Sequence, residues 1–484
     1  MVLDLDLNSD NLKESVHQKP KPIAIEHTEE TNKKPKKKNI ALRLIIFLLL
    51  LAIVGFIGYF FWKTKKISKD IGFKFNPVEI ITTKKPELKK DTNGKFTNIL
   101  LIGVDSREGN FISNTDTLIV ASYDYEAKNF SMISIPRDFH VEIDPKTKWY
   151  ARINAVYASA ESKKEGDGFN KLTKTVEDVT GLEIQYYAMV DFKAFVEIVD
   201  VLGGISVNVE NSFVDYMYPS GLKYKTVKFT AGPQIMDGKT ALEFSRSRHS
   251  RQNNEGTDYA RARRQQKVIA AIQEKIVQSD TLKDPKAIMG IFSSLVNNIK
   301  VSEFTVTDIQ AALNLLEDYK DENKSINSFV LEPSVGDKTL VERKNMPNGA
   351  FAIGPVEGLG QYTKIHEYIQ VALKRPKLYS ENPTIYVYDI GLGATNIKTN
   401  ITEIKEEYPY ISIIQSYTLF KDKEGIYVYS NEEKYPETIS EFSKYLKTNN
   451  NTKPEFIKNG LAPTGVIILV GKTTQLEETT GSEI

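Results

Sequence analysis

Six of the chain's 12 arginines, Arg246, Arg248, Arg251, Arg261, Arg263 and Arg264, fall within ALEFSRSRHSRQNNEGTDYARARRQQ. Elsewhere lysine carries the positive charge, with 52 lysines in all. Guanidinium is planar, permanently charged and able to grip phosphate or carboxylate through two parallel hydrogen bonds. The local excess points to a site for a multiply charged anion. Arg107, Arg137 and Arg152 bring the count between residues 107 and 264 to nine of 12; surface ion pairs are the competing reading. Two carboxylates complete the set. Asp105 follows the apolar run ILLIGV and Asp116 precedes TLIV, both at strand ends, where α/β sheets place ligands. Mg²⁺ is commonly held by one or two carboxylates plus substrate phosphates. Spacing alone favours the plainer alternative, two aspartates in turns.

These residues need elements to position them. FTNILLIGVDS (96–106), TLIVASYDY (117–125), FSMISIPRDF (130–139), YYAMVDF (186–192) and ISVNVE (205–210) read as strands. NKLTKTVEDVT (170–180), stopped by Gly181, and FKAFVEIVDVLGG (192–204) read as helices. The alternation predicts a layered α/β domain. A further helix, capped by Thr257 or Asp258, reads YARARRQQKVIAAIQEKI. Arg261, Arg264, Gln265, Val268 and Ile272 share one of its faces. A buried guanidinium without a counter-charge is costly, so either acidic side chains meet these arginines or a cleft opens for an anion. Arg263 and Lys267 are expected on the solvated side. Arg246 and Arg248, if extended, project to one side with Phe244.

At 484 residues the chain is too long for one ordinary domain, and its net charge of +1 says nothing about partners. With no cysteine, disulfides, thiol catalysis and Cys-ligated zinc are excluded. Five scattered histidines argue against a His-rich metal site. Leu44 to Trp62 carry no charge, and a helix of that length, rising roughly 1.5 Å per residue, nearly spans a bilayer core. The preceding KKPKKK run places the N-terminus on the cytoplasmic side, so the expectation is a retained single-pass anchor in the cell membrane with the bulk outside. The expected organisation is a disordered tail (1–38), an anchor (39–62), a linker (63–95), a catalytic domain (96–280), a helical connector (281–380), a smaller α/β domain (381–475) and a short tail (476–484). GPQIMDGKT and GVIILVGKT each place five residues between the glycines, where a phosphate loop needs four, and are rejected.

Asp105, Asp116, IPRD, ARIN, VDF, DVLGG, SRSRH and DYARARRQQ, in that order, resemble the LytR–CpsA–Psr family over residues 96 to about 276. Residues 383 to 473 look like the smaller C-terminal domain that some members carry. The resemblance implies a layered mixed sheet flanked by helices. It implies transfer of a glycopolymer from a polyprenyl diphosphate carrier to peptidoglycan, with Mg²⁺, or Mn²⁺ as the alternative, on Asp105 and Asp116. Arg137, Arg246, Arg248 and Arg261 look like the diphosphate ligands, supported by Asp258 and Gln265; Arg107, Arg152 and, from its place on the inward helix face, Arg264 are expected as further substrate contacts. The family commonly has an arginine two residues before the second aspartate. Here Asn114 takes that place, and Arg107 is the candidate substitute. An apolar groove for the lipid is expected from ILLIGV, TLIVASY and AFVEIVDVL. Two rival readings are a hydrolase of lipid-linked precursors and a non-catalytic polymer binder or membrane-bound transcription attenuator. No nucleic-acid partner is expected, because the tail offers no DNA-reading element.

Overall fold

A computed structural model describes residues 86–472, apart from 107–111, 279–297, 322–325, 346–350, 459–460 and the single positions 145, 148, 222, 304 and 463. The expected tail, the anchor 39–62, most of the linker and the last residues lie outside the described set. Among the described residues no helix is long and apolar enough to cross a membrane.

Three apolar runs form an antiparallel meander: β1 (Phe96–Val104), β2 (Thr115–Asp124) and β3 (Asn129–Ser134). The next strand of the sheet, β4 (Tyr186–Asp191), lies parallel to β1. A parallel return needs a crossover, and two helices fill it: Val156–Lys163 and α1 (Gly168–Thr180). α1 stops at Gly181, whose φ of 71° is the left-handed conformation glycine adopts at least cost. β5 (Ile299–Val301) pairs antiparallel with β4, and β6 (Asn327–Val330) runs parallel to β3. The sheet is therefore mixed, in the order β5-β4-β1-β2-β3-β6. Both edge strands come from the stretch read as a helical connector.

Strand alternation gives the sheet two different faces. Leu100, Ile102 and Val104 join Leu172, Val176 and Val179 of α1 in the main core. Over the opposite face lie α2 (Phe192–Val201), α3 (Gly238–Arg246) and α4 (Asp258–Gln278). Asp191 and Asp237 cap α2 and α3, each accepting a backbone N–H three residues on. Behind these helices a second core gathers Val199, Val207, Phe213, Phe229, Phe244 and Val268. It is closed by two antiparallel strand pairs, 205–209 with 232–236 and, between them in the chain, the hairpin 213–220 with 223–229.

The C-terminal strands are β7 (Thr384–Asp389), β8 (Ser412–Thr418), β9 (Ile426–Ser430) and β10 (Val466–Val470), ordered β8-β7-β10-β9. Between β7 and β8 runs a helix, Ala394–Glu407. Helix α5 (Thr363–Lys374) places Ile365, Tyr368 and Ile369 in the main core, which continues into this second sheet.

Candidate functional site

Where α2, α3 and α4 stand off the sheet, they leave a cavity of about 500 Å³. Asp105 enters it one residue beyond β1. Asp116 enters from a bulge: Val104 pairs with Thr115 and Gly103 with Thr117, so Asp116 is the extra residue on its strand. A bulge bends the strand and re-aims a side chain. Gly103 permits it, since a Cβ there would lie 2.9 Å from Thr117 Cβ and Oγ1. Arg137 arrives from the turn after β3, Arg246 from the last residue of α3, and Arg248 from two residues beyond. Arg261 and Gln265 come from the first turns of α4, which Thr257 caps through its Oγ1.

The charges interlock. Arg137 Nη1 donates to Asp116 Oδ1 at 2.9 Å, and Arg246 Nη2 to Asp105 Oδ2 at 3.3 Å. Asp258 Oδ1 lies 3.0 Å from Arg261 Nη1 and 3.8 Å from Arg137 Nε. The Arg246 guanidinium also lies over the Phe192 ring, 4.0 Å from its centroid. Burial works against the charge on Arg137, but Asp116, Asp258 and Asp138 outweigh it and hold its pKa above the ordinary value. Arg261 is the opposite case. Burial pulls its pKa down, Asp258 compensates only in part, and Arg137 adds repulsion. The Nε atoms of Arg137 and Arg261 are buried without a hydrogen-bond partner. Buried donors without acceptors are expensive, and phosphate oxygens would satisfy them.

From this charged end the cavity continues between apolar walls. Leu101 and Val190 line it from the sheet, Phe195 and Ile198 from α2, Leu242 from α3, and Val268 and Ile272 from α4. The groove expected from ILLIGV and AFVEIVDVL is present. TLIVASY supplies only Thr117, because Leu118 and Val120 face the main core.

Several expected site residues fall elsewhere. Arg264 is buried, but its Nε donates to Phe244 O at 2.9 Å and its Nη1 to Glu255 O at 2.9 Å. Nη1 also meets Glu255 Oε2, and Nη2 meets Ser247 O. Arg264 thus holds the end of α3 and does not line the cavity; its substrate-binding role is corrected to a positioning one. Arg263 and Lys267, expected to be merely solvated, pair with Glu332 and Glu210 at 3.1 and 2.5 Å. Phe244 does not project with the two arginines, because α3 runs through Arg246 and turns Phe244 into the second core. Arg152 stays outside the cavity wall and reaches Asp138 Oδ1 at 3.3 Å; Asp138 in turn lies 3.6 Å from Arg137. Arg107 lies outside the described residues, and Asn114 is exposed.

Two carboxylates were not anticipated. Asp191 lines the cavity, caps α2 and accepts from Ser106 Oγ at 2.8 Å. Its place in the VDF run is the signal that could have found it. Asp215, fully buried, accepts from Ser247 Oγ at 2.6 Å and from the backbone N–H groups of Arg248 and His249 at 3.0 and 3.2 Å. It fixes the backbone that presents Arg248.

The chain is similar to known proteins along much of its length. The model of the LytR_cpsA_psr family matches residues 59–343. Polyisoprenyl-teichoic acid–peptidoglycan teichoic acid transferase TagU of Enterococcus faecalis is 29% identical over 251 residues, 51% of this chain and 74% of that protein. TagU of Bacillus subtilis is 27% identical over 303 residues, 62% of this chain and 89% of that protein. Biofilm regulatory protein A of Streptococcus mutans is 26% identical over 325 residues, 63% of this chain and 71% of that protein.

Proposed function

The chain belongs to the LytR–CpsA–Psr family, and from that premise we propose that it is a transferase that moves a glycopolymer from a polyprenyl diphosphate carrier onto peptidoglycan. The observation that carries this reading is one cavity with two chemistries: four arginines converge on its charged end, and the remainder is apolar. That pairing matches a diphosphate esterified to a long hydrocarbon. The name of TagU, a relative, describes the same reaction class.

In this reading Arg137, Arg246, Arg248 and Arg261 hold the two phosphates, and Gln265 borders the same space. A hydroxyl oxygen of a peptidoglycan sugar attacks the phosphorus bonded to the polymer. The bond from that phosphorus to the bridging oxygen breaks, and polyprenyl phosphate leaves. The product is a phosphodiester, and the hydroxyl proton passes to a carboxylate at the charged end. Catalysis of this kind is mostly positioning and charge neutralisation. Asp105 and Asp116 suit Mg²⁺ or Mn²⁺: each is partly exposed and uses one oxygen on a guanidinium. A metal held there would neutralise charge on the diphosphate, with phosphate oxygens completing its shell. Leu44–Trp62 would anchor the chain with its bulk outside the cell membrane.

The test is polymer transfer from a lipid-linked donor to peptidoglycan. Arg246→Ala and Asp116→Ala should each lower the rate by roughly a hundredfold or more, the scale of losing one charge-stabilising group. Near wild-type rates in both would sink the assignment. Chelation should abolish transfer, and added Mg²⁺ or Mn²⁺ should restore it. Free polymer released when peptidoglycan is withheld would make water the acceptor and the enzyme a hydrolase.

A further inference from the structure

The inner side of the hairpin of Phe213–Ser220 with Lys223–Phe229 supports the site through Asp215, but its outer face has no part in the chemistry above and is unusual. Tyr216, Met217 and Tyr224 are 67%, 48% and 65% exposed. The register shifts between Asp215 and Tyr218, so Tyr216 and Met217 occupy a bulge and both are exposed where alternation would bury one. The bulge is built into the core, because buried Asp215 accepts the Met217 N–H at 2.9 Å. Lys223 and Lys228 are exposed as well, while Lys225 is engaged with Glu243. The only acidic residue from 213 to 229 is that buried Asp215.

The same strand closes the charged end of the cavity. Pro219 lines the cavity and pairs directly with Tyr224. Tyr218 is buried, with its ring centroid 5.8 Å from the Arg246 guanidinium. We propose that the outer face of this hairpin docks on an anionic lipid bilayer, settling at headgroup depth and holding the cavity's charged end at the membrane surface. Tyrosine favours that depth because its ring is apolar and its hydroxyl wet. Lysine stems lie along apolar surface while their ammonium groups meet lipid phosphates. A second copy of the chain fits less well, since two such faces would oppose lysine to lysine. Docked in this way, the carrier's diphosphate stays at headgroup level while its tail passes into the apolar part of the cavity. That last step rests on the proposed function; the docking itself does not.

The chain has no cysteine, so Tyr224→Cys gives a unique labelling position in the full-length protein. A bimane label there is read in proteoliposomes of phosphatidylcholine and phosphatidylglycerol, against a label at Lys398→Cys on the exposed side of helix Ala394–Glu407. The expected result is strong quenching of the label at 224 by headgroup-region spin-labelled lipid, with protection from aqueous iodide, and neither effect at 398. Equal behaviour of the two positions overturns the proposal. So does iodide protection at 224 without lipid quenching, which would mark a protein partner. This readout needs no turnover, so it stands or falls apart from the transferase reading. In a second arm, Tyr216→Ser combined with Tyr224→Ser should slow transfer from a bilayer-embedded donor by about tenfold. Transfer from a short-chain soluble donor should be unchanged; equal loss on both donors would overturn docking.

Discussion

Arg261 and Arg264 sit three residues apart on one helix, are both buried, and do opposite work. Arg261 faces the cavity with one acid near it and a pKa lowered by burial; Arg264 has all three of its nitrogens engaged by carbonyls and Glu255. Arg261→Gln should therefore leave unfolding stability unchanged or slightly raised, because it removes a poorly compensated buried charge. It should abolish the rise in melting temperature that inorganic diphosphate gives the wild type, a rise expected from ligand linkage. Arg264→Gln should instead cost about 3–5 kcal/mol, the usual result of breaking a buried ionic cluster. Denaturant unfolding with and without diphosphate separates the two, and a stable Arg264→Gln protein would refute the positioning role. Helical phasing made both arginines legible as inward-facing. It could not tell them apart, because the partners of Arg264 come from α3 and the following loop, 9 to 20 residues earlier. Residue types alone marked Arg137 and Arg248 only as members of an arginine excess, and the motifs IPRD and SRSRH singled them out; their convergence is a property of the fold.

The β1–β2 bulge aims one of the two carboxylates, and its cause is the space above Gly103. Gly103→Ala would place a methyl group 2.9 Å from Thr117 and force the strands apart at Asp116. The expected cost is about 1–3 kcal/mol of overpacking. The loss of transfer should exceed what the unfolded fraction explains. Adding Thr117→Gly should recover much of the activity by returning the space. Failure of that double variant, with both proteins folded, would show that Gly103 matters for another reason. ILLIGVDS and TLIV were readable as strands, but the bulge was not, since each run looks uninterrupted on its own. β5 and β6 have only three and four residues, too short for a period to show. The hairpin that carries Asp215 was missed because its own bulge breaks the apolar alternation in VDYMYPS.

At the scale of the whole molecule, the change of sheet near residue 381 is not a break in the core. The described residues from 86 to 472 form one compact unit, and a single apolar cluster runs from Leu100 to Val470. α5 joins the two sheets, and His366 on it meets Asp178 O of α1 at 2.9 Å. Gly336 has a φ of 58° and touches the second sheet's side of the joint: a Cβ there would lie 2.3 Å from Tyr410 O. Gly336→Val adds left-handed strain to a backbone clash, both of which a β-branched residue tolerates poorly. If the sheets fold as one cooperative body, calorimetry of the wild type should show one transition over this unit, and the variant should shift it as a whole. If the C-terminal sheet is an independent module, two transitions should appear, and Gly336→Val should move them unequally. The first outcome would make the second sheet a brace for the strands that hold Asp105 and Asp116. Removing residues after 380 should then lower both stability and transfer.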